Sequence, residues 1–395
     1  MDIIKVVSDI KERCLSGGQS ALLELTKKFD QLDLDSLVFE IPDDIKIDEA
    51  LASAILKAKD NIYKFHLEEY KKLLDNKPVQ LSNQINCFKK FTAIENVGIY
   101  IPNGLFSSLL MTVIPAQIVG CKDITICTPA NVSDVILYVC KILGVKKIFR
   151  LGGAQAIFAM AYGVGEISKV DKIFGPGNEY VDAAKKMVSN QVAIDMPAGP
   201  SEVLVIADDE AKTNDVIYDL LAQLEHGKES KAWLFTTSDR LLSEVKLQIN
   251  QVIKTAKRAN ILECSINNLV CRKFENIKSA IDESNKIAPE HLILNVEKFA
   301  DFIDLITNAG SVFLGRYTTE SLGDYYSGSN HVLPTSGFAH SFSGLSCLSF
   351  GKFITFQEIK KDDLENVARA VSLMANAEGL EMHAKSILSR VNMVK

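Results

Sequence analysis

The run Val97-Gly98-Ile99-Tyr100-Ile101 has the length and the apolar, β-branched composition of a buried strand. Further apolar runs follow it, and amphipathic helical patterns separate them. Strands that alternate with helices in this way form a parallel sheet with right-handed crossovers. The stretch therefore predicts an α/β domain. The runs lie at 124–127, 147–151 and 172–174, and the helical patterns include 133–143 and 154–162.

The same rhythm returns after residue 201, which predicts a second α/β unit and a cleft between two similar domains. Helical patterns precede Asn96, and another helical pattern, interrupted at Gly379, runs from Asp362 to the end. We therefore predict two incomplete Rossmann-like parallel-sheet domains that face a cleft, with a helical N-terminal segment and a helical C-terminal tail. The repeated runs lie at 202–206, 232–235, 292–296 and 311–314.

The predicted domain limits divide the chain into three parts. Residues 1–99 and 202–345 form a larger, discontinuous α/β domain that carries most of the candidate metal and acid-base residues. Residues 100–201 form the second α/β domain. Residues 346–395 form the C-terminal tail.

Composition narrows the classes of function. The 395 residues are 47% apolar and 24% charged, with a formal net charge of -6, so electrostatics favours a small-molecule partner over nucleic acid or an anionic membrane. The eight cysteines include no Cys-x-x-Cys pair, which argues against a thiolate zinc site.

The first residues do not resemble a secretory signal, and polar residues interrupt the longest apolar stretch, 105–121. We expect a cytoplasmic protein.

Two glycine-rich turns follow strands of the first unit, at Gly152-Gly153 and at Gly175-Pro176-Gly177. Each precedes a helix, so each could direct backbone N–H groups and a helix N-terminus at an anion. Neither matches the G-x-G-x-x-G dinucleotide fingerprint. Taken alone, each turn is as compatible with ordinary chain geometry as with a phosphate site.

Four of the six histidines lie near carboxylates or an amide, a combination suited to metal binding and proton transfer. A hydrolytic or redox metal site is the first hypothesis. For three of the groups a simpler interpretation exists: His226 could interact with a helix end, Glu290 and His291 could form an exposed turn, and Glu378 and His383 could lie on a solvated helix face. The groups are Gln223 to His226, Glu290-His291, Asp324 to His331 and Glu378 to His383.

The motifs together resemble histidinol dehydrogenase, in that family's order and near its spacing. The resemblance covers the chain from about residue 95 to about residue 390 and, more loosely, the N-terminal helices. It is carried by Gly152-Gly153-Ala154-Gln155-Ala156, Phe174-Gly175-Pro176-Gly177-Asn178, Asp195-Met196-Pro197-Ala198-Gly199-Pro200-Ser201-Glu202-Val203, Gln223-Leu224-Glu225-His226-Gly227, Ala288-Pro289-Glu290-His291-Leu292 and the run from Ser327 to Thr335.

This resemblance implies a zinc enzyme that oxidises L-histidinol through L-histidinaldehyde to L-histidine with two molecules of NAD. It also implies an intertwined homodimer in which Glu378 and His383 serve the partner subunit. The implied zinc ligands are Gln223, His226, Asp324 and His383; the acid-base pair is Glu290 and His291; the substrate contacts are Ser201, His331 and Glu378; the NAD contacts are Tyr100, Gln155 and Asn178.

Two departures from the family pattern bear on these expectations. The loop after Pro102 is shorter than is usual in the family, which affects the NAD pose at Tyr100, and His340 stands where arginine is more common, so it receives no ligand role. Three alternatives remain: a zinc and NAD dehydrogenase of another amino alcohol, a zinc hydrolase, and a non-catalytic dimer that binds a metabolite.

Overall fold

A computed structural model describes residues 2–75, 77–81, 85–196 and 199–391. In these ranges the α-helices are α1 (Ile3–Asp30), α2 (Glu49–Leu74), α3 (Phe106–Val119), α4 (Asp134–Ile142), α5 (Gly153–Tyr162), α6 (Glu179–Val188), α7 (Thr213–Leu224), α8 (Asp239–Thr255), α9 (Ala259–Ser265), α10 (Ile277–Ile287), α11 (Glu320–Tyr325), α12 (Lys361–Ala377) and α13 (Glu381–Arg390). The strands are β1 (Val38–Glu40), β2 (Val79–Gln80), β3 (Asn86–Ala93), β4 (Asn96–Tyr100), β5 (Asp123–Thr128), β6 (Lys147–Arg150), β7 (Lys172–Phe174), β8 (Ala193–Ile194), β9 (Glu202–Ala207), β10 (Lys231–Thr236), β11 (Leu269–Lys273), β12 (His291–Asn295), β13 (Ser311–Leu314) and β14 (Gly351–Glu358).

Two sheets share one topology. The first has the order β1-β6-β5-β4-β7-β8, in which β1 is antiparallel to its neighbour and the other pairings are parallel. The second has the order β11-β10-β9-β12-β13 and is parallel throughout. In each, the first parallel strand along the chain lies at the centre, so the strand order reverses beside it. The predicted pair of Rossmann-like parallel sheets is confirmed.

The central strands are apolar because helices cover the sheets. All six residues of β9 and all five of β12 are buried. The strands β1, β2, β3, β8, β11 and β14 were absent from the expected set; β11, for example, has only exposed and half-buried residues. Edge strands such as β11 bury too little apolar surface to give a clear sequence signal.

The N-terminal helices pack on the first sheet. Helix α1 contacts α5 and α6, and α2 contacts α3. Buried Leu22 and Leu25 of α1 share a core with Ile157 and Val181, while Ile62 of α2 lies in the core that contains α3. Apolar stripes of amphipathic helices are buried against the nearest apolar layer. For α1 and α2 that layer contains helices of the first sheet, and for α2 it also contains Val332, Leu345 and Phe350, so the predicted domain limits stay a prediction.

The C-terminal tail begins as a strand. Strand β14 pairs antiparallel with β3 over the register Gly351↔Ala93 to Glu358↔Asn86, and Phe88 stacks on Phe356 at 5.0 Å between ring centroids. The prediction of a wholly helical tail was therefore wrong for residues 351–358. From Lys361 onward the tail is helical, and Gly379, with φ 74°, separates α12 from α13 as the sequence indicated.

Helix α3 is apolar because it is enclosed by protein. Nearly all of its residues are buried, and it packs on α2 and α4. None of the helices in the described ranges combines the length and the apolar character that crossing a membrane requires.

Candidate active site

Glu290 and His291 lie at the amino end of β12, beside the amino end of β9. Helix α10 ends at Ala288, which has a left-handed φ of 51° and redirects the chain into Pro289. Gly310 lies close by, since a Cβ there would come within 2.5 Å of the Glu290 carbonyl oxygen. The two candidate acid-base residues are thus held on a rigid, buried strand end.

The Glu290 carboxylate is buried and hydrogen-bonded. Its Oε2 accepts from the backbone N–H of Glu202 at 2.9 Å and from Nε2 of Gln223 at 3.3 Å. Burial raises the pKa of Glu290 to about 7, against the lowering effect of His291. A carboxyl group with a pKa near neutrality is suited to general acid-base work.

The ring of His291 is held by a backbone contact. Its Nδ1 lies 3.1 Å from the carbonyl oxygen of Glu202, so Nδ1 carries the hydrogen and donates to that oxygen. When the ring is neutral, Nε2 carries the lone pair and lies 3.6 Å from Oδ1 of Asp324. Burial opposes protonation of His291, but the carboxylates of Glu320, Glu290 and Asp324 raise its pKa to about 10.

Gln223 lies in the last turn of α7, and His226 follows two residues after the helix ends. The crossover after β9 brings this helix end back to the amino edge of the second sheet, where Gln223 meets Glu290. Because Nε2 of Gln223 faces Glu290 and His291, its Oε1 is left buried without a partner. An amide oxygen in this state is a suitable ligand for a cation.

Helix α11 contributes Asp324 and a residue that the sequence prediction missed, Glu320. Ligand atoms of His226, Glu320 and Asp324 all lie within 4.8 Å of one another. In the described part of the chain, five buried side-chain polar atoms lack a hydrogen-bond partner, and three of them belong here: Gln223 Oε1, His291 Nε2 and Glu320 Oε2. The i, i+4 spacing of Glu320 and Asp324 on one helix face was the signal available in the sequence.

These residues fit a divalent zinc ion. An amide oxygen, imidazole nitrogens and carboxylates are ligand types that zinc accepts, and the residues that carry the unpartnered atoms belong to one group of neighbouring side chains. Burying them without a partner is costly, so a bound cation would satisfy polar groups that the protein itself leaves unsatisfied.

His331 joins the same cluster from the loop after α11. Its Nδ1 donates to the carbonyl oxygen of Asp324 at 2.9 Å, and its Nε2 accepts from the hydroxyl of Ser108 at 3.1 Å. Burial lowers the pKa of His331, consistent with this neutral tautomer. Ser201 directly precedes β9, at the same sheet edge as His291. Ser108, which lies in the first turns of α3, was not identified from the sequence.

Glu378 and His383 are placed differently. Both are exposed, at the junction of α12 and α13. Among the described hydrogen bonds and ion pairs, none joins either side chain to the cluster. The structure of one chain therefore brings together Gln223, His226, Glu290, His291, Asp324 and His331 and leaves these two residues outside.

The three expected NAD contacts lie at the carboxyl ends of strands in the first sheet. Tyr100 ends β4, and its hydroxyl accepts from the backbone N–H of Gly153 at 3.1 Å. Gln155 is buried in the first turn of α5, and a Cβ at Gly153 would lie 2.9 Å from its Oε1. Asn178 caps α6 by accepting from the N–H groups of Tyr180 and Val181 at 3.1 Å each.

This arrangement fits a dinucleotide. Strands β4 and β7 are neighbours at which the strand order reverses, and ligands of open α/β sheets bind outside the carboxyl ends at such a point. The amide oxygen of Asn178 is used by the helix cap, which leaves its NH₂ group available to a ligand. The loop after Pro102 is short and leads into α3 after residue 105.

A second group of possible ligands, His66, Glu69 and Cys347, is explained by internal hydrogen bonds. His66 Nδ1 lies 3.0 Å from Glu69 Oε2, which also accepts from the N–H of Cys347 at 2.9 Å. The Cys347 thiol points at the carbonyl oxygen of His66, and burial raises its pKa to about 12. A protonated thiol is a poor ligand, so this group ties α2 to the start of the tail.

The fold and the site are compatible with an α/β oxidoreductase: one sheet offers a crevice suited to a dinucleotide, and the other carries a metal-compatible acid-base cluster. The model of the histidinol dehydrogenase family matches residues 1–391. The chain belongs to the histidinol dehydrogenase family, and the family prediction made from the sequence is confirmed.

Individual relatives are similar to this chain over nearly its whole length. Histidinol dehydrogenase of Mannheimia succiniciproducens is 42% identical over 406 residues, covering 100% of this chain and 94% of the relative. That of Bacteroides fragilis is 42% identical over 408 residues with the same coverage. The crystal structure of histidinol dehydrogenase from Elizabethkingia anophelis matches with a TM-score of 0.94 and 42% identity, covering 99% of this chain and 93% of that one.

A more distant likeness concerns the fold alone. Succinate-semialdehyde dehydrogenase from Burkholderia pseudomallei matches with a TM-score of 0.51 at 11% identity, covering 91% of this chain and 86% of that chain.

Proposed function

We propose that this chain oxidises L-histidinol to L-histidine through L-histidinaldehyde, reducing two molecules of NAD, in the last steps of histidine biosynthesis. The observation that carries the proposal is the grouping of Gln223, His226, Glu290, His291 and Asp324 at one sheet edge, where buried atoms of Gln223 and His291 lack hydrogen-bond partners. Family membership supports the substrate, and the crevice at Tyr100 supports the cofactor.

Gln223, His226 and Asp324 would hold a zinc ion, together with His383 of the partner subunit. When bound, zinc supplies positive charge that orients the nitrogen atoms of the substrate and offsets the carboxylate field around His291. His331, fixed between Ser108 and Asp324, and Ser201 would orient the substrate beside the metal.

His291 would accept the hydroxyl proton in the first oxidation. Its Nδ1–H is held by the Glu202 carbonyl, so in the neutral ring that a bound zinc ion would favour, the Nε2 lone pair is free to take the proton. The alcohol loses this proton to His291 and a hydride from carbon to NAD, which forms the aldehyde and NADH. Positioning both partners in one pocket makes the transfer effectively unimolecular.

Glu290 would act in the second oxidation. Its carboxylate accepts a proton from water as the water oxygen bonds to the aldehyde carbon, and the resulting hydrate loses a hydride to a second NAD. The pKa of Glu290 near 7 matches this task, because a base of that strength is ionised at neutral pH and still binds protons readily. Both oxidations share one pocket, which retains the reactive aldehyde.

We further infer an intertwined homodimer in which Glu378 contacts substrate and His383 binds zinc in the partner subunit. The single chain supports this because both residues are exposed, and because α12 and α13 expose large apolar side chains that another surface would cover. These are Leu373, Met374, Leu380 and Met382.

The function is tested by counting NADH formed from L-histidinol with excess NAD, before and after chelation and zinc restoration. We expect two NADH per histidinol, loss of activity on chelation and recovery with zinc. One NADH per histidinol would indicate an alcohol dehydrogenase that stops at the aldehyde. No NADH in a zinc-loaded protein would contradict the proposal and favour another amino alcohol as substrate.

The shared site is tested with two inactive variants, Glu290→Gln and His383→Asn. If the tail completes the partner's site, unfolding and refolding the two together should restore part of the activity, since some dimers then contain one intact site. Separately refolded variants serve as the control. Absence of recovery, with mixed dimers shown by differential tagging, would place His383 in its own subunit's site.

A further inference from the structure

Lys185 and Asp195 form an ion pair that is buried on both sides, with 2% of each side chain exposed and 2.5 Å between Nζ and Oδ1. Lys185 lies on α6 and Asp195 directly follows β8. Neither residue belongs to the expected site. Burying two charges costs several kcal/mol per ion before their mutual attraction is counted, so stability alone is a weak reason for such a pair.

Lys185 and Asp195 both bind Gly175, which lies in the glycine-rich turn between β7 and α6. The backbone N–H of Gly175 donates to Asp195 Oδ2 at 2.9 Å, and Lys185 Nζ donates to the carbonyl oxygen of Gly175 at 3.0 Å. Asp195 Oδ1 also accepts from the N–H of Met196 at 2.8 Å. The two peptide planes that flank Gly175 are therefore each fixed by one charged partner.

Gly175 requires this restraint because its own conformation is permissive. Its φ is 113°, and a Cβ there would lie 2.0 Å from the carbonyl oxygen of Tyr100, so only glycine fits. Glycine, however, adopts many backbone conformations at little cost. Pro176 has no N–H, and the next donors toward a ligand are the N–H groups of Gly177 and Asn178, before α6 begins. Fixing Gly175 fixes the direction of those donors.

We propose that Lys185 and Asp195 are positioning residues for NAD, which hold the turn of Gly175 to Asn178 in its binding conformation before the cofactor arrives. This inference rests on the proposed function. Its physical basis is preorganisation: a turn that is already ordered does not lose conformational entropy when it binds. The pair should therefore act on NAD affinity and leave the substrate and metal positions unchanged.

The decisive variant is the double substitution Lys185→Met with Asp195→Leu, because it removes both charges and leaves no unpaired charge in the interior. Single variants Lys185→Met and Asp195→Asn accompany it. Lys186→Met is the matched control, since Lys186 is the adjacent residue on α6 and makes an exposed ion pair with Asp182 at 2.6 Å.

For each variant, NADH binding is measured by fluorescence titration, the KM values for NAD and histidinol by steady-state kinetics, and zinc by elemental analysis. We expect the double variant to fold, to bind NADH on the order of tenfold to a hundredfold more weakly, and to show a similar rise in KM for NAD. The KM for histidinol and the zinc content should stay close to those of the Lys186→Met protein.

Wild-type NADH affinity in the folded double variant would overturn the proposal, as would an equal rise in KM for both substrates. If the double variant does not fold, NADH titration of Asp195→Asn decides the question, because asparagine keeps one oxygen that can accept from Gly175 but replaces the other, which pairs with Lys185 and Met196, by an NH₂ group. Asp195→Asn must then weaken NADH binding for the proposal to stand. Failure of histidinol oxidation by the wild-type protein would contradict the proposed function alone, since NADH titration is independent of turnover.

Discussion

The two sheets have the same strand order but use opposite edges. In the first sheet the expected ligand contacts lie at the carboxyl ends of β4 and β7, where a glycine turn leaves space. In the second sheet the candidate catalytic residues lie at the amino ends of β9 and β12. Equal topology thus provides a crevice at the same place in both sheets, and the side chains decide whether it is used.

Charged side chains occupy the carboxyl edge of the second sheet. Asp208 follows β9, and its carboxylate accepts from the N–H of Glu297 at 2.8 Å. Arg316, after β13, donates to both oxygens of Asp208 at 3.0 and 3.2 Å and to Glu297 at 3.0 Å. Two carboxylates in this position disfavour a phosphate. The comparison predicts different outcomes for substitutions at these edges.

The largest effect on activity is expected from a substitution at the amino edge of the second sheet. Glu290→Gln should lower the rate of aldehyde oxidation by on the order of 10² to 10⁴, because glutamine cannot accept the proton from water. Zinc content should remain, since Glu290 is not one of the proposed ligands. Elemental analysis and kinetics with histidinaldehyde provide the measurement, and loss of zinc in this variant would contradict the assigned role.

The next largest effect is expected from a substitution at the carboxyl edge of the first sheet. Gly175→Ala should cost ~2 kcal/mol or more of folding free energy and weaken NADH binding, because the added Cβ would lie 2.0 Å from the Tyr100 oxygen and φ is positive. Gly144→Ala is the control: its φ is also positive, at 71°, but its Cβ would meet open space. Equal losses in both variants, measured by denaturant unfolding and NADH titration, would show that the close contact has no role.

A smaller effect is expected at the carboxyl edge of the second sheet. Arg316→Met should lower the free energy of unfolding by about 1 kcal/mol, less at high salt, because it breaks partly exposed ion pairs. Both KM values and kcat should stay at wild-type levels. A specific loss of NAD affinity would mean that this edge also binds a nucleotide, and the contrast between the sheets would then be wrong.

The smallest effect on activity is expected from Asp219, on α7, which lines a cavity of about 320 Å³ beside Arg316. Burial, helped by Asp215, raises its pKa from 3.8 to about 7. A raised carboxyl pKa favours the fold below pH 3.8 and progressively less as pH rises through about 7. Asp219→Asn should therefore stabilise the protein at pH 8 by about 1 kcal/mol or more, and little at pH 4. Thermal unfolding at both values, with unchanged kcat, is the check.

Much of the fold could be predicted because its signals are local. Each central strand is a short apolar run, and each glycine turn follows one directly. Strands β1, β2, β3, β8, β11 and β14 were missed, since their residues are mostly exposed or half-buried and show no continuous apolar run.

The candidate site was predicted in part. Every residue expected within one chain's cluster lies near it, because family resemblance transfers residue positions. Glu320 was missed: it is a single carboxylate in a polar stretch, and only packing buries it next to His226 and Asp324. Lys185 and Asp195 were missed for the same reason, since nothing in a helical lysine indicates that its ammonium group is enclosed.

The sequence by itself determined the alternation of strands and helices, the positions of the glycine-rich turns and the family. Only the tertiary structure decided which sheet edge holds the candidate catalytic residues and which nitrogen of His291 is hydrogen-bonded to the backbone. It also decided which charged side chains occupy the carboxyl edge of the second sheet. The physical reason is distance along the chain: Gln223 meets Glu290 across 67 residues and His291 meets Glu202 across 89. Periodicity specifies neighbours within a few residues, whereas contacts of that span depend on how whole layers pack.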